Sequence, residues 1–160
     1  MSDDKILREQ LVALLGASNA HAGFDAMVAH FPLEAMNRRA PNLTYTPWRL
    51  LEHIRIAQWD ILEFVRNPQY VSPPWPAGYW PAEDARADQA AWNKTLDGFH
   101  RDLADLQALA RDPANDLTAP LPHAPGPEYT LLREILVAAD HNAYHIGELG
   151  VLKTLLGVGD

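Results

Sequence analysis

The sequence predicts an all-α protein, a four-helix bundle with long Pro-rich connecting loops. Three observations lead there. Apolar residues recur at three- and four-residue intervals over four long segments. No alternating strand pattern and no internal repeat interrupts them. The 13 prolines fall between those segments or at their starts. At 160 residues the chain is most simply one domain, residues 1–160, long enough to enclose a substantial core.

The first predicted helix runs from Lys5 to about Ala29. Leu7, Leu11, Leu14, Ser18 and His21 share one side, broadened by Ile6, Leu15 and Val28. Gly16 and Gly23 weaken it without ending it, and Pro32 closes it. His21 then lies at the core edge, or forms a wall of an active site. Residues 31–47 read as an irregular connector. Thr46 as N-cap and Pro47 at the first helical position open the second helix. It runs to about Arg66, where Asn67-Pro68 stops it. Leu50, Ile54, Ala57, Ile61 and Phe64 form its inner stripe, and His53 sits on the flank with Asp60 further along.

Residues 67–81 hold five prolines with Tyr70, Trp75, Tyr79 and Trp80. So aromatic a loop should fold back over something, either the end of the bundle or a pocket. The third helix is expected to open at Pro81, with Glu83 and Asp84 suited to its positive end. Its core positions are Leu96, Phe99, Leu103, Leu106 and Leu109, and Asp112-Pro113 ends it. His100 reads as surface. A second proline-rich connector follows to Pro127, with His123 solvated in it. Thr130 leads into the last helix, which Gly157 terminates.

Composition excludes several functions. The net charge is −8 and Arg38-Arg39 is the one adjacent basic pair, so nucleic acid is not an expected partner. No apolar run is long enough to span a bilayer and no signal sequence is visible, so no membrane association is expected. The opening Met-Ser-Asp-Asp-Lys suits a cytoplasmic chain. The absence of cysteine removes disulfides, thiolate metal sites and a cysteine nucleophile together. Any metal must be held by His, Asp, Glu or water.

Folding alone does not account for the segment Asp140-His141-Asn142-Ala143-Tyr144-His145-Ile146-Gly147-Glu148. His141 and His145 are four apart, one turn above each other on a helix face, so two imidazoles can converge on one ion. They flank the apolar stripe of Leu131, Leu132, Ile135, Ala138, Ala139, Ile146, Leu149 and Leu156. The plainer alternative is a pair of histidines bonded to backbone or solvent at a helix boundary. His53 supplies a third imidazole from the second helix. Three neutral imidazoles leave a divalent ion with positions open to water or substrate. Asp140, Glu148, Glu52 and Tyr144 are the candidates to orient an imidazole from outside.

Two stretches carry a family resemblance: Thr46-Pro-Trp-Arg-Leu-Leu-Glu-His53-Ile-Arg-Ile-Ala-Gln-Trp-Asp60, and Asp140-His141-Asn-Ala-Tyr-His145-Ile-Gly-Glu-Leu149. They resemble the helix-two histidine and the H-x-x-x-H-x-G segment of the DinB-like superfamily of damage-inducible, metal-binding four-helix bundles. The resemblance implies metal ligation by His53, His141 and His145, and by no other residue. It also implies a homodimer. Zinc is the first choice of ion, with nickel, manganese or iron compatible.

Three functions are in competition. In the first, the metal activates a low-molecular-weight thiol or water for attack on a small electrophile, as the family's thiol-dependent transferases and isomerases suggest. In the second, a metal-bound hydroxide hydrolyses an amide or ester, with Glu148 or Asp60 shuttling protons. In the third, the protein is a non-enzymatic stress-related binding protein with a structural metal. The sequence fixes neither a substrate nor a general acid or base.

Overall fold

The computed structural model describes residues 3–16 and 20–158. Five α-helices follow one another: α1 (Asp3–Leu15), α2 (Phe24–Val28), α3 (Pro47–Arg66), α4 (Gln89–Arg111) and α5 (Leu131–Leu156). Short 3-10 turns lie at Leu33–Ala35 and Ala77–Tyr79. No β-strand forms among the described residues, although an isolated antiparallel bridge pairs Pro120 with Thr130. The chain is therefore all-helical. α3 packs against α4 and α5, and α1 packs against the same two helices.

Side-chain caps set the starts of the three longest helices. Thr46 accepts the Arg49 N–H, Asp88 that of Ala91, and Thr130 that of Arg133, each satisfying a donor the helix cannot use itself. α3 occupies the span predicted for it, with Pro47 just inside the cap. α5 ends at Gly157, whose φ of 67° is the left-handed conformation that glycine adopts without strain.

The predicted first helix is broken in two. α1 stops at Leu15, and α2 begins only at Phe24, behind Gly23. The two glycines, each costing about 1 kcal/mol in a helix interior, stand on either side of the gap. The Phe24 ring of α2 packs onto Phe99, with centroids 3.7 Å apart. Ser18, predicted on the inner stripe, lies outside the described residues. α1 is also rotated from the expected stripe. Arg8, Leu11 and Leu15 point inward, while Ile6, Leu7 and Leu14 are left at least 40% exposed. The charged residue turns inward because the C-terminal end of α4 needs donors. Arg8 Nη1 donates to the carbonyls of Ala110 (3.0 Å) and Asp112 (2.9 Å), and Nη2 to that of Asn115 (2.8 Å).

α4 starts eight residues later than predicted. Side chains from elsewhere in the chain engage the backbone of the preceding segment and keep it out of a helix. Arg49 donates to the Pro81 carbonyl, Arg39 to that of Glu83, and the Asn37 amide both donates to Ala87 O and accepts from Ala87 N. The acidic pair Glu83 and Asp84 therefore precedes the helix instead of opening it.

Buried side chains form two apolar clusters. One gathers Phe24, Phe31, Leu50, Leu51, Ile54, Trp92, Phe99, Ile146 and Leu149. The other holds Leu11, Leu15, Leu62, Leu106, Leu131 and Ile135. Between them along α3 and α5 runs a buried polar chain. Asn142 Nδ2 donates to Gln58 Oε1 (2.8 Å), and Gln58 Nε2 donates to the Phe99 carbonyl (2.8 Å). Its burial is affordable because these groups bond each other.

Candidate metal centre

α3 and α5 bring His53, His141 and His145 together, with one nitrogen from each inside a group no more than 4.8 Å across. His53 is buried, and the other two are half-buried. His53 Nε2 lies 3.1 Å from His145 Nε2 and 3.1 Å from His141 Nε2. Two nitrogens bound to one tetrahedral ion, with bonds of about 2.05 Å, are separated by about 3.3 Å. The spacing is that of ligands around a shared cation.

The tautomers make the same point. His53 Nδ1 lies 2.9 Å from the Tyr79 carbonyl, which can only accept, so Nδ1 carries the proton. His145 Nδ1 donates in the same way to Glu148 Oε2 at 2.6 Å. When both rings are neutral, their Nε2 lone pairs therefore face each other at 3.1 Å. That arrangement is repulsive unless something positive lies between them. The donor set thus fits a borderline metal ion, with the carbonyl and the carboxylate acting as outer partners that orient the ligands.

The proline-rich loop closes over this cluster. The Trp80 indole stacks on the His53 imidazole, with centroids 3.9 Å apart and planes 5° from parallel. Tyr79 is buried, and its hydroxyl donates to Asp60 Oδ2 (2.8 Å), while Tyr70 donates to Asp60 Oδ1 (3.0 Å). Burial and the Asp60 carboxylate push the Tyr79 phenol up to about 12. Tyr45 is held neutral chiefly by burial, and then by the negative charge of Glu148.

Other predicted residues fall elsewhere. Asp60 is occupied by the two tyrosines. Glu52 binds Arg55 through two hydrogen bonds and accepts from Thr95. Tyr144 is exposed, with its ring 4.9 Å from that of His145, and Asp140 is exposed. His21 is exposed and outside any helix, so it forms neither a core edge nor a wall of this cluster. His100 is exposed as expected, facing Asp25. His123 is half-buried, donating to the Phe64 carbonyl (2.6 Å), and is not simply solvated. Sequence reasoning missed Trp80 and the Tyr79 carbonyl as direct partners of His53. The aromatic density of the loop was the available signal.

A family model described as the DinB superfamily matches residues 18–149. The chain belongs to the DinB superfamily. No curated protein and no solved structure matches it. The matched span includes α3 and the histidine-bearing part of α5, so all three converging histidines lie within the DinB region.

Burial, followed by the neighbouring His145 and His53, lowers the His141 imidazole to about 3. Burial likewise lowers His53, with the Tyr79 carbonyl pulling the other way. Folded-state values below the ordinary 6.5 mean that the unfolded chain takes up protons first on acidification. The stability of the metal-free protein should therefore be flat above about pH 6.5 and fall as the pH drops towards 3. Urea titrations between about pH 5 and 7, where ordinary carboxylates stay ionised, read this slope. A His141→Gln variant should show a shallower one. An unchanged slope in that variant would refute the assignment.

Proposed function

We propose that this DinB-superfamily protein is a metal-dependent enzyme. In this reading His53, His141 and His145 bind one divalent ion, zinc first, with nickel, manganese or iron as alternatives. The bound ion activates a low-molecular-weight thiol or a water molecule for attack on a small electrophile. The observation that carries the reading is the pair of Nδ1 contacts to acceptor oxygens, which leave the Nε2 atoms of the neutral rings facing a common centre.

Openness of the centre favours catalysis over a structural role. Among the described residues, no Asp, Glu or fourth His joins the group of three ligand atoms. Glu148, three residues beyond His145, reaches the far nitrogen of that ring instead. A three-histidine set leaves positions for an exchangeable group, whereas structural sites are closed by four protein ligands. A thiol substrate brings its own nucleophile, which suits a chain without cysteine.

Named residues take defined roles here. His53, His141 and His145 hold the ion. Glu148 and the Tyr79 carbonyl fix the rings of His145 and His53. Trp80 covers the His53 face and keeps water from it. In the same reading residues 1–160 form one four-helix bundle domain with α1, α3, α4 and α5 as its helices, and the protein works as a cytoplasmic homodimer. No helix among the described residues is long and apolar enough to cross a membrane.

The test is a paired assay on protein purified without a histidine tag and loaded with about one zinc or nickel per chain. Thiol transfer from glutathione, mycothiol and bacillithiol to a chloroarene is measured beside hydrolysis of a p-nitrophenyl ester. Metal-dependent thiol transfer supports the reading. Ester hydrolysis without thiol transfer would move the protein to the hydrolase class. Bound metal that exchanges no water, with neither activity, would leave a structural ion.

A further inference from the structure

The outer surface of the bundle is lopsided. Of the ten large apolar side chains left exposed among the described residues, three lie on α1, five on α5, and none on α3 or α4. On α5 they are Leu136, Val137, Tyr144, Val151 and Leu155, which share with Gly147 an arc of about 100° around the helix. α5 is therefore apolar on its outer face as well as its inner one, the pattern of a helix covered on both sides. α1 continues this surface. Lys5 and Val12 line a groove towards Arg111 of α4, which leaves Leu7 and Leu14 on the opposite flank, beside α5. Between Leu136 and Leu155 the arc holds one charged side chain, Asp140. A chain of net charge −8 repels a second copy least over such a surface.

The surface also carries its own complement. Tyr144 is 64% exposed and stands out as a knob. Gly147, three residues further along the same face, is an exposed notch, where a Cβ would meet nothing within 4 Å. Two α5 helices packed antiparallel, about a two-fold axis midway between these positions, set each Tyr144 opposite the other copy's Gly147. The same register sets Leu136 opposite Leu155 and Asp140 opposite Val151. One patch is then matched to itself twice, which is the condition for an isologous pair. The extent is of the right order. The 26 residues of α5 and 13 of α1, each helix about 10 Å wide, give a flat footprint of about 600 Å² before the relief of the side chains is counted. A stable interface takes about 800 Å² from each partner.

We propose that the α1/α5 face joins two copies of the chain as an antiparallel pair, with the Tyr144 ring of each copy seated on Gly147 of the other. The contact gives a face to the homodimer of the reading above, and rests on that reading for the number of copies alone. It uses none of the three histidines, so the pair forms with or without an ion. Tyr144 also has its ring 4.9 Å from that of His145. Seating it between copies therefore fixes one wall of the metal centre.

Sedimentation velocity over a hundredfold range of concentration, on metal-free and zinc-loaded protein, tests the pairing. A dimer is expected in both forms. Tyr144→Ala and Gly147→Phe, which remove the knob or fill the notch, should each weaken it at least about tenfold, as loss of an aromatic interface anchor does. Combined in one chain they exchange knob and notch, and should restore most of the affinity. Val151→Glu sets a carboxylate against the other copy's Asp140 twice and should leave monomers, whereas Val151→Lys should still pair. All four positions are exposed, so circular dichroism should be unchanged throughout. A monomeric wild type, a dimer that survives Val151→Glu, equal loss in Val151→Lys, or a combined variant no better than the single ones would each overturn the proposal. So would a dimer seen only with zinc. A monomer that still binds one zinc per chain would sink this face and leave the ligand set standing.

Discussion

His141→Ala, His145→Ala and His53→Ala should each lower the affinity for zinc by well over the 10- to 100-fold that losing an outer partner typically costs. Elemental analysis and a competitive chelator titration measure this directly. The three substitutions should be nearly equal, because all three nitrogens face one centre. Glu148→Gln, which keeps a hydrogen bond to His145 but removes the charge, should cost about 10- to 100-fold. His21→Ala and His100→Ala are the controls, since both side chains are exposed away from the cluster and should leave zinc content unchanged. Full metal stoichiometry in His141→Ala would remove that residue from the ligand set. Circular dichroism on each variant should show the helicity retained.

Arg8→Ala should destabilise the protein by about 2 to 3 kcal/mol, the range for hydrogen bonds made by a charged group. Its guanidinium spans the carbonyls of Ala110, Asp112 and Asn115 around the last turn of α4, with Asp4 on its Nε. Three acceptors are served by one planar fork, a geometry that an ammonium cannot copy. Arg8→Lys should therefore recover less than half of the loss. A urea titration with an unchanged m value isolates the stability term. Surface ion pairs are worth little, so Asp4→Ala should cost far less than Arg8→Ala. Equal effects of the two would show that the Asp4 pair, and not the carbonyl clamp, is what matters.

Local signals were legible where a residue's neighbours in sequence decide its fate. Thr46-Pro47, Asn67-Pro68, Asp112-Pro113 and Gly157 mark boundaries through caps and breakers, and those boundaries lie where they were expected. The i,i+4 spacing of His141 and His145 likewise needs only helix geometry. Convergence with His53 does not follow from periodicity; the family resemblance, not spacing, joins it to the pair. Distant partners decided the rest. Nothing near Arg8 in sequence announces that α4 will end beside it. Nothing in the run Pro81–Asp88 shows that Asn37, Arg39 and Arg49 will engage its backbone. An acidic stretch after a proline looks like a helix start until those donors are known. Asn142 was read past because it stands beside a histidine, although its inward position is what places its amide between two apolar clusters.

Tyr79 binds the structure at two levels. Its carbonyl fixes the His53 ring, and its hydroxyl fixes Asp60, seven residues further along the same helix. Docking of the loop and readiness of the imidazole are therefore one equilibrium rather than two. By linkage, whatever occupies the three-histidine centre must tighten the loop on α3 by the same free energy with which the docked loop tightens that occupant. An ion held there would make the loop its reporter, with fraying of the loop and loss of the ion coupled through that free energy.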